Sequence, residues 1–106
     1  MKTKLPIYKY LDISTAHIKE STDKFLQEQA KDKYAELIVY KKECGYFICV
    51  PYDLELIFDN IPNDLYMCLE LAAKNRCYWL VLDADAEIID ELETYEWYEE
   101  WLWDYI

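Results

Sequence analysis

Cys77 to Leu82, CYWLVL, is the stretch that decides the fold, because it is a nearly continuous apolar run of strand length. Runs of this kind are typical of strands that are buried on both faces of a sheet. Asp83-Ala84-Asp85 then ends the run as a turn. The sequence therefore predicts a central strand around which the other elements pack.

A helix is predicted directly before this strand. Pro62 suits its first turn, and Asn75 can cap its end. Four apolar residues between them recur at the i, i+3, i+4, i+7 spacing of one helix face, which predicts a buried stripe. The stripe consists of Leu65, Cys68, Leu69 and Ala72.

A β-hairpin is predicted further upstream, from strands at Glu36 to Lys41 and Tyr46 to Val50. The intervening loop, Lys42-Glu43-Cys44-Gly45, ends in the only glycine of the chain. A four-residue hairpin loop favours a positive φ at such a glycine. Pro51 ends the second of these strands, since proline has no backbone N–H to donate.

The N-terminal part predicts a strand from Leu5 to Ile13 and a helix to about Lys33, with Ser21 or Thr22 as its N-cap. The order is then strand, helix, strand, strand, helix, strand. This is the β-α-β-β-α-β pattern of ferredoxin-like folds, an α+β class in which two helices cover one face of an antiparallel sheet. We expect a single domain over residues 1–106, in which 1–82 form a scaffold and 83–106 an acidic, aromatic C-terminal element.

The C-terminal element has an unusual composition. It carries ten of the 22 acidic residues and six of the 18 aromatic ones, and it contains no Lys or Arg. Residues 1–82 hold twelve acids against eleven bases, so the formal charge of −11 comes from the C-terminal quarter. Charge asymmetry of this kind indicates an interaction segment. A strongly acidic protein is not expected to bind nucleic acid or an anionic membrane directly.

From Asp90 onward the C-terminal element can be drawn as a helix with acidic and aromatic faces. Twenty-four helical residues would span roughly 36 Å. Ten carboxylates would then give one charge per roughly 3.6 Å, against one per roughly 3.4 Å for a DNA strand. The sequence therefore predicts a surface that imitates nucleic acid and binds a basic groove; the alternative is that the acids only keep an aromatic segment soluble. The predicted partner-binding residues are Asp90, Glu91, Glu93, Glu96, Trp97, Glu99, Glu100, Trp101, Trp103 and Asp104.

The sequence evidence for a catalytic or metal site is weaker than the evidence for an acidic interaction segment. Asp83, Asp85 and Glu87 form a D-x-D-x-E cluster after the central strand, where oxygen ligands could hold Mg²⁺ or Ca²⁺. The alternative is a charged turn. The four cysteines have no zinc spacing, and His17 and Cys44 lack a supporting nucleophile motif. We therefore expect no enzyme activity, no metal and no cofactor. The start of the chain has no secretory signal, which predicts a cytoplasmic protein with free thiols.

Three short motifs carry a resemblance to a known family. They are Ile13 to Ile18 (ISTAHI), Cys77 to Glu87 (CYWLVLDADAE) and Tyr95-Glu96-Trp97. They resemble a family of small acidic proteins carried on plasmids, conjugative elements and phages, which has no assigned activity. The resemblance implies an accessory protein of a mobile element, and it carries over no catalytic residues.

The leading hypothesis is a non-enzymatic inhibitor of a bacterial defence nuclease, with an anti-CRISPR or anti-restriction role. The carboxylates would attract the basic groove, and Trp97, Trp101 and Trp103 would anchor the complex. A second hypothesis is a protein–protein interaction module, an antitoxin or an assembly subunit, whose aromatic tail packs on a partner or on a second copy as a homodimer. A third is a small metal-dependent enzyme centred on the D-x-D-x-E cluster.

Overall fold

The computed structural model describes residues 5–97. They form an α+β domain of one four-stranded sheet and two α-helices, and the predicted order of these elements is confirmed. A 3₁₀ turn at Thr15–His17 and a 3₁₀ helix at Leu54–Asn60 add to it. The main elements are β1 (Tyr10–Ser14), α1 (Glu20–Lys31), β2 (Val39–Lys42), β3 (Gly45–Cys49), α2 (Asn63–Lys74) and β4 (Trp79–Asp83). No helix among these residues is both long and apolar enough to cross a membrane.

The strands lie in the order β1-β4-β3-β2. β4 pairs parallel with β1 and antiparallel with β3, so the sheet is mixed and the prediction of a ferredoxin-like antiparallel sheet is wrong. The reason lies in the burial of β4. Leu80, Val81 and Leu82 are 0%, 4% and 0% exposed, which requires neighbours on both sides and both faces. The prediction of a central strand at this position is confirmed.

Both helices pack on one face of the sheet. Ile13, Tyr46, Ile48, Leu80 and Leu82 alternate along the strands toward that face, where they form the core with residues from both helices. From α1, the buried side chain of Leu26 packs in this core. The predicted stripe of α2 is confirmed, since Leu65, Cys68, Leu69 and Ala72 are all fully buried, and Asn75 is its C-cap.

The hairpin between β2 and β3 is tighter than predicted. Lys42 pairs with Gly45 in the ladder, so the loop has only two residues, Glu43 and Cys44. The positive φ falls on Cys44, at 64°, and not on Gly45. Gly45 has a different role: a Cβ there would overlap the backbone carbonyl of Leu82 on β4. Glycine is therefore required by the close approach of two strands, and the predicted φ was wrong.

The N-terminus of α1 is capped by a distant residue. Lys19 is the N-cap, and neither Ser21 nor Thr22 occupies that position. The carboxylate of Asp64, in the first turn of α2, accepts a hydrogen bond from the backbone N–H of Lys19 at 2.7 Å. The buried Thr22 hydroxyl donates to the same carboxylate at 2.7 Å. A contact between the two helices thus replaces the local cap that the sequence predicts.

Residues 86–97, here called the strap, have no regular secondary structure. The helix predicted from Asp90 is therefore wrong as far as Trp97, and residues 98–106 lie outside the described part. The backbone groups of Ile89, Glu93 and Tyr95 instead form hydrogen bonds with His17 and Ala16, and a helix would have used the Tyr95 N–H internally. Like charges three or four residues apart would also have opposed a helix here. The helical charge density calculated from the sequence does not apply to the strap.

Candidate interaction surfaces

The strap is fastened along the segment that follows β1. Its backbone accepts one hydrogen bond, from Ser14 N–H to Glu87 O at 3.0 Å, and donates another, from Tyr95 N–H to Ala16 O at 2.8 Å. The Trp97 indole N–H donates to Ile18 O at 2.9 Å. Anchors at the start, middle and end of residues 14–18 therefore hold the strap along its length.

His17 is the central clamp of the strap. Its ring is 1% exposed, and its Nε2 accepts a hydrogen bond from Ile89 N–H at 3.0 Å. Because Nε2 accepts, the proton of the neutral ring must lie on Nδ1, which donates to Glu93 O at 2.8 Å. Both ring nitrogens are thus engaged with the strap, which leaves neither for general-base chemistry. The sequence offered no local signal for this role.

The strap combines partly buried apolar side chains with exposed carboxylates. Ile89, Leu92 and Trp97 are partly buried against the core. Six carboxylate side chains are exposed, and within residues 5–97 none of the six forms an ion pair. They belong to Asp85 in the preceding turn and to Glu87, Asp90, Glu91, Glu93 and Glu96 in the strap.

The predicted partner-binding residues divide into three groups. The acidic ones within the described range are brought together on the strap: Asp90, Glu91, Glu93 and Glu96. Trp97 is partly buried, and its indole helps to fasten the strap, so only part of its ring faces solvent. The remaining predicted residues, Glu99, Glu100, Trp101, Trp103 and Asp104, lie outside the described part of the chain.

A small cleft separates the strap from α2. It measures about 290 Å³ and is lined by His17, Asp64, Glu91, Glu93 and Tyr95, among others. Burial, together with the negative charge of Glu93, raises the pKa of the Tyr95 hydroxyl. The acidic lining and the engaged histidine give the cleft no catalytic pair.

The D-x-D-x-E cluster forms a stabilised turn. Asp83 accepts hydrogen bonds from Lys42 Nζ at 2.6 Å and from the Asp85 N–H at 2.8 Å. The Lys42 ammonium lowers the pKa of Asp83, and Asp83 in turn raises the pKa of Lys42. Among residues 5–97, no group of three or more His, Cys, Asp or Glu side chains is placed to hold a metal ion. The charged-turn alternative is therefore the one that the geometry supports.

The cysteines within the described range are free thiols. Cys68 and Cys77 are buried and Cys44 is exposed at the hairpin tip. Burial raises the pKa of the Cys68 thiol to about 12, so this side chain behaves as a small core residue.

The face of the sheet opposite the helices carries a second surface, which we call the aromatic face. Its residues are Tyr10, Tyr40, Phe47 and Trp79, one from each strand, and they line an open cup of about 250 Å³. The rings of Tyr40 and Trp79 lie 6.2 Å apart across β3. This face was not predicted from the sequence, although each strand has one aromatic residue at an outward position, where a solvated face would be polar.

Comparison with known proteins identifies the family. No curated protein and no solved structure matches the chain. Residues 10–97 match the family described as "Family of unknown function (DUF5983) C-terminal domain". The match spans β1 to the end of the strap and includes all three motifs that carry the resemblance to an uncharacterised family. The chain therefore belongs to the DUF5983 family, through its C-terminal domain.

Proposed function

We propose that this protein is a non-enzymatic inhibitor that binds the nucleic-acid groove of a bacterial defence nuclease. One observation carries the proposal: six exposed carboxylates project from a backbone segment that His17 and three further anchors hold in place. The inhibitor acts in the cytoplasm as an anti-CRISPR or anti-restriction protein, and it needs no cofactor.

Fixing the strap favours binding. A flexible acidic tail would lose conformational freedom when it bound, whereas carboxylates on a fastened backbone lose only the freedom of their side chains. A net charge of −11 adds long-range attraction to a basic surface and speeds association. The strap therefore suits fast and competitive binding to a cationic groove.

The charge spacing of the strap supports partial imitation of nucleic acid. Eleven residue steps separate Asp85 from Glu96 and span at most about 40 Å. Six carboxylates over that distance give one charge per about 7 Å or closer, which is at least about half the density of a DNA strand. Lysine and arginine side chains that bind phosphates also bind carboxylates, often in the same bidentate geometry. In the proposal, the strap displaces nucleic acid by occupying these side chains.

The resemblance to proteins of plasmids, conjugative elements and phages supports the choice of target. Defence nucleases act against such elements, and they possess basic grooves that bind nucleic acid. The resemblance and the basic grooves together favour inhibition of such a nuclease as the role we propose.

The test compares two variants of equal net charge. In the strap variant, Asp90 becomes Asn and Glu91, Glu93 and Glu96 become Gln. In the control variant, the exposed acids Glu28, Glu36, Glu43 and Glu55 become Gln. Each protein is immobilised and exposed to host lysate, and the captured proteins are identified and then challenged with duplex DNA.

We expect the native protein and the control variant to retain a nuclease that DNA displaces, and the strap variant to retain at least tenfold less. Equal loss in both variants would show that total charge alone matters. Equal retention in all three would exclude the strap as the binding surface. Either result would refute the proposal.

A second candidate function is favoured by the aromatic face. A protein–protein interaction module, such as an antitoxin or assembly subunit, would use exposed rings at an interface, and Tyr10 and Tyr40 are 60% and 57% exposed. In this alternative, the acidic strap contributes solubility and the nuclease capture experiment gives no specific partner.

A further inference from the structure

The aromatic face is a sheet surface that no described residue covers. Tyr10, Tyr40 and Phe47 are 60%, 57% and 40% exposed, although Ile13, Val39, Tyr46, Ile48, Leu80 and Leu82 are buried on the other face of the same strands. The four rings sit on adjacent strands and form one continuous patch. With each ring burying roughly 150–250 Å² when covered, and about half of it exposed here, the patch offers roughly 400 Å². Patches of this size on soluble proteins mark interaction sites.

Most of the charge on this face lies at one end of the strands. Lys42 and Asp83 lie at the end where β1 and β4 finish, whereas Asp12 lies in the row of Phe47 and Tyr40 and places one acid beside the rings. Lys42 and Asp83 already form an ion pair, so this end carries charges of both signs. The strap follows the end of β4 and lies beyond this charged end, close to residues 14–18. The rings therefore form the charge-poor part of a strongly acidic molecule.

This distribution decides between kinds of occupant. Single-stranded nucleic acid also stacks on aromatic sheet faces, but it requires cations along its backbone. The nearest cation on the face, Lys42, is paired with Asp83. A small ligand would find a cup of only about 250 Å³ that is lined by rings and offers no charged group to orient it. A flat, apolar protein surface is the occupant that such a face fits.

We propose that the aromatic face binds a second copy of this chain, in a two-fold symmetric dimer with the two sheets face to face. In a symmetric contact the same patch meets itself, so a patch edge with one sign of charge would repel its copy. The mixed charges of Lys42, Asp83 and Asp12 avoid this. The rings are also the place where two molecules of charge −11 can approach with least repulsion.

The area predicts a weak dimer. A stable interface buries about 800 Å² on each partner, and the rings supply roughly half of that. Ile38, which is 55% exposed and lies two residues before Tyr40, enlarges the contact together with the charged end. We therefore expect dissociation in the micromolar range. Because the two copies repel, added salt should strengthen the dimer by screening.

The experiment measures oligomeric state by sedimentation equilibrium, from low micromolar to near-millimolar protein. The test variants are Tyr40→Lys and Phe47→Lys, each of which removes a ring from the aromatic face and adds a cation. The matched control is Tyr52→Lys, which makes the same change at a tyrosine that is 99% exposed and away from the sheet. Tyr40→Ser is the milder variant, and circular dichroism confirms that each protein is folded.

We expect dimers for the native chain and for Tyr52→Lys, and a dissociation constant at least tenfold higher for Tyr40→Lys, Phe47→Lys and Tyr40→Ser. A native chain that stays monomeric over the whole range would overturn the proposal, as would dimers that ignore the face variants. Quenching of tryptophan fluorescence by a single-stranded oligonucleotide, lost in Tyr40→Ser, would assign the face to nucleobases instead.

The dimer proposal and the inhibitor proposal can be tested independently of each other. The strap variant with four acids replaced should still form dimers, since its changes lie off the aromatic face. The Tyr40 and Phe47 variants should still capture the nuclease. Loss of one activity without the other identifies which of the two proposals is wrong.

Discussion

The strap and the aromatic face are two exposed surfaces of one small domain, and they are built in opposite ways. The strap packs Ile89, Leu92 and Trp97 against the core and exposes its carboxylates, and hydrogen bonds to residues 14–18 hold it. The aromatic face directs rings outward, and the β-ladder holds them. The difference teaches that a small core can present a long-range electrostatic surface and a short-range apolar one side by side. Each surface depends on a different set of residues, so each can be removed alone.

The largest effect is expected from Gly45→Ala, which damages the support of the aromatic face. The added methyl would overlap the carbonyl of Leu82, and neither backbone can move without breaking the β3–β4 ladder. We expect a loss of at least about 3 kcal/mol in the free energy of unfolding, measured by urea denaturation. A loss below 1 kcal/mol would mean that the two strands lie further apart than described.

His17→Ala should release the strap and leave the sheet intact. The change removes a buried ring and leaves Ile89 N–H and Glu93 O without partners, so we expect a loss of about 2–3 kcal/mol. Hydrogen exchange of the Ile89 and Tyr95 amides should become faster by much more than that of β4 amides.

The control for this change is Thr22→Val, which also removes a buried hydrogen bond, to Asp64, but makes no contact with the strap. It should reduce stability by about 1 kcal/mol and leave the relative exchange of Ile89 and Tyr95 unchanged. If both variants accelerated these amides alike, His17 would not be a specific clamp.

Ionic strength should separate the two surfaces by the sign of its effect. Binding of a basic partner to the strap should weaken about tenfold or more as salt rises from low to physiological and above, because screening reduces attraction between opposite charges. Dimerisation through the aromatic face should strengthen by a few-fold over the same range, since screening reduces repulsion between acidic copies. Titration calorimetry and sedimentation at matched salt concentrations measure the two. Effects of the same sign would remove the distinction between the surfaces.

The Lys42–Asp83 pair should make a smaller, pH-dependent contribution at the charged end of the aromatic face. Because Lys42 lowers the pKa of Asp83 below its ordinary value of 3.8, the pair stabilises the fold above that pH. The contribution is lost as pH falls through the lower pKa of the folded state. Thermal unfolding of the native chain and of Lys42→Met should therefore differ at neutral pH and converge as the pH falls through the lowered pKa of Asp83. A difference that persisted in acid would come from packing and not from the ion pair.

Cys44→Gly should have the smallest effect, and it should stabilise the fold. Cys44 is held at a φ of 64°, which is unfavourable for a residue with a Cβ. Glycine removes that strain but loses more entropy on folding, so the net gain should be about 0.5–1 kcal/mol in urea denaturation. Cys44→Ala keeps the Cβ and serves as the control, with no gain. Equal stability of both variants would show that the turn is not strained.

Local sequence patterns correctly predicted those elements whose buried residues form a pattern within a single segment. The run Cys77 to Leu82 predicted a central strand because its residues are apolar at consecutive positions, and the stripe of α2 was visible at helical spacing. Neither pattern identifies which strand lies next to which. The parallel pairing of β1 with β4 depends on contacts between distant residues, so element order alone suggested the wrong sheet.

The candidate surfaces were only partly predictable for the same reason. The acidic residues of the strap were found from charge alone, but their spacing also matched a helix, and contacts with His17 and Ile18 decided against it. His17 carries no pattern that distinguishes a clamp from an idle side chain. The outward rings were not predicted as a surface, because a tyrosine in a strand has the same sequence signature on either face.

The position of β4 also determines when the domain can fold. The central strand is the last of the four to be synthesised, and Tyr10 must find Trp79 near the other end of the chain. Until residue 83 has left the ribosome, β1 has no neighbour and β3 has an open edge, so a nascent chain holds only the β2–β3 hairpin of the sheet. Folding of the sheet is then expected to wait for β4, to be cooperative and to be slowed by the long loop that must close. In the interval before completion, the exposed strands would be substrates for chaperones.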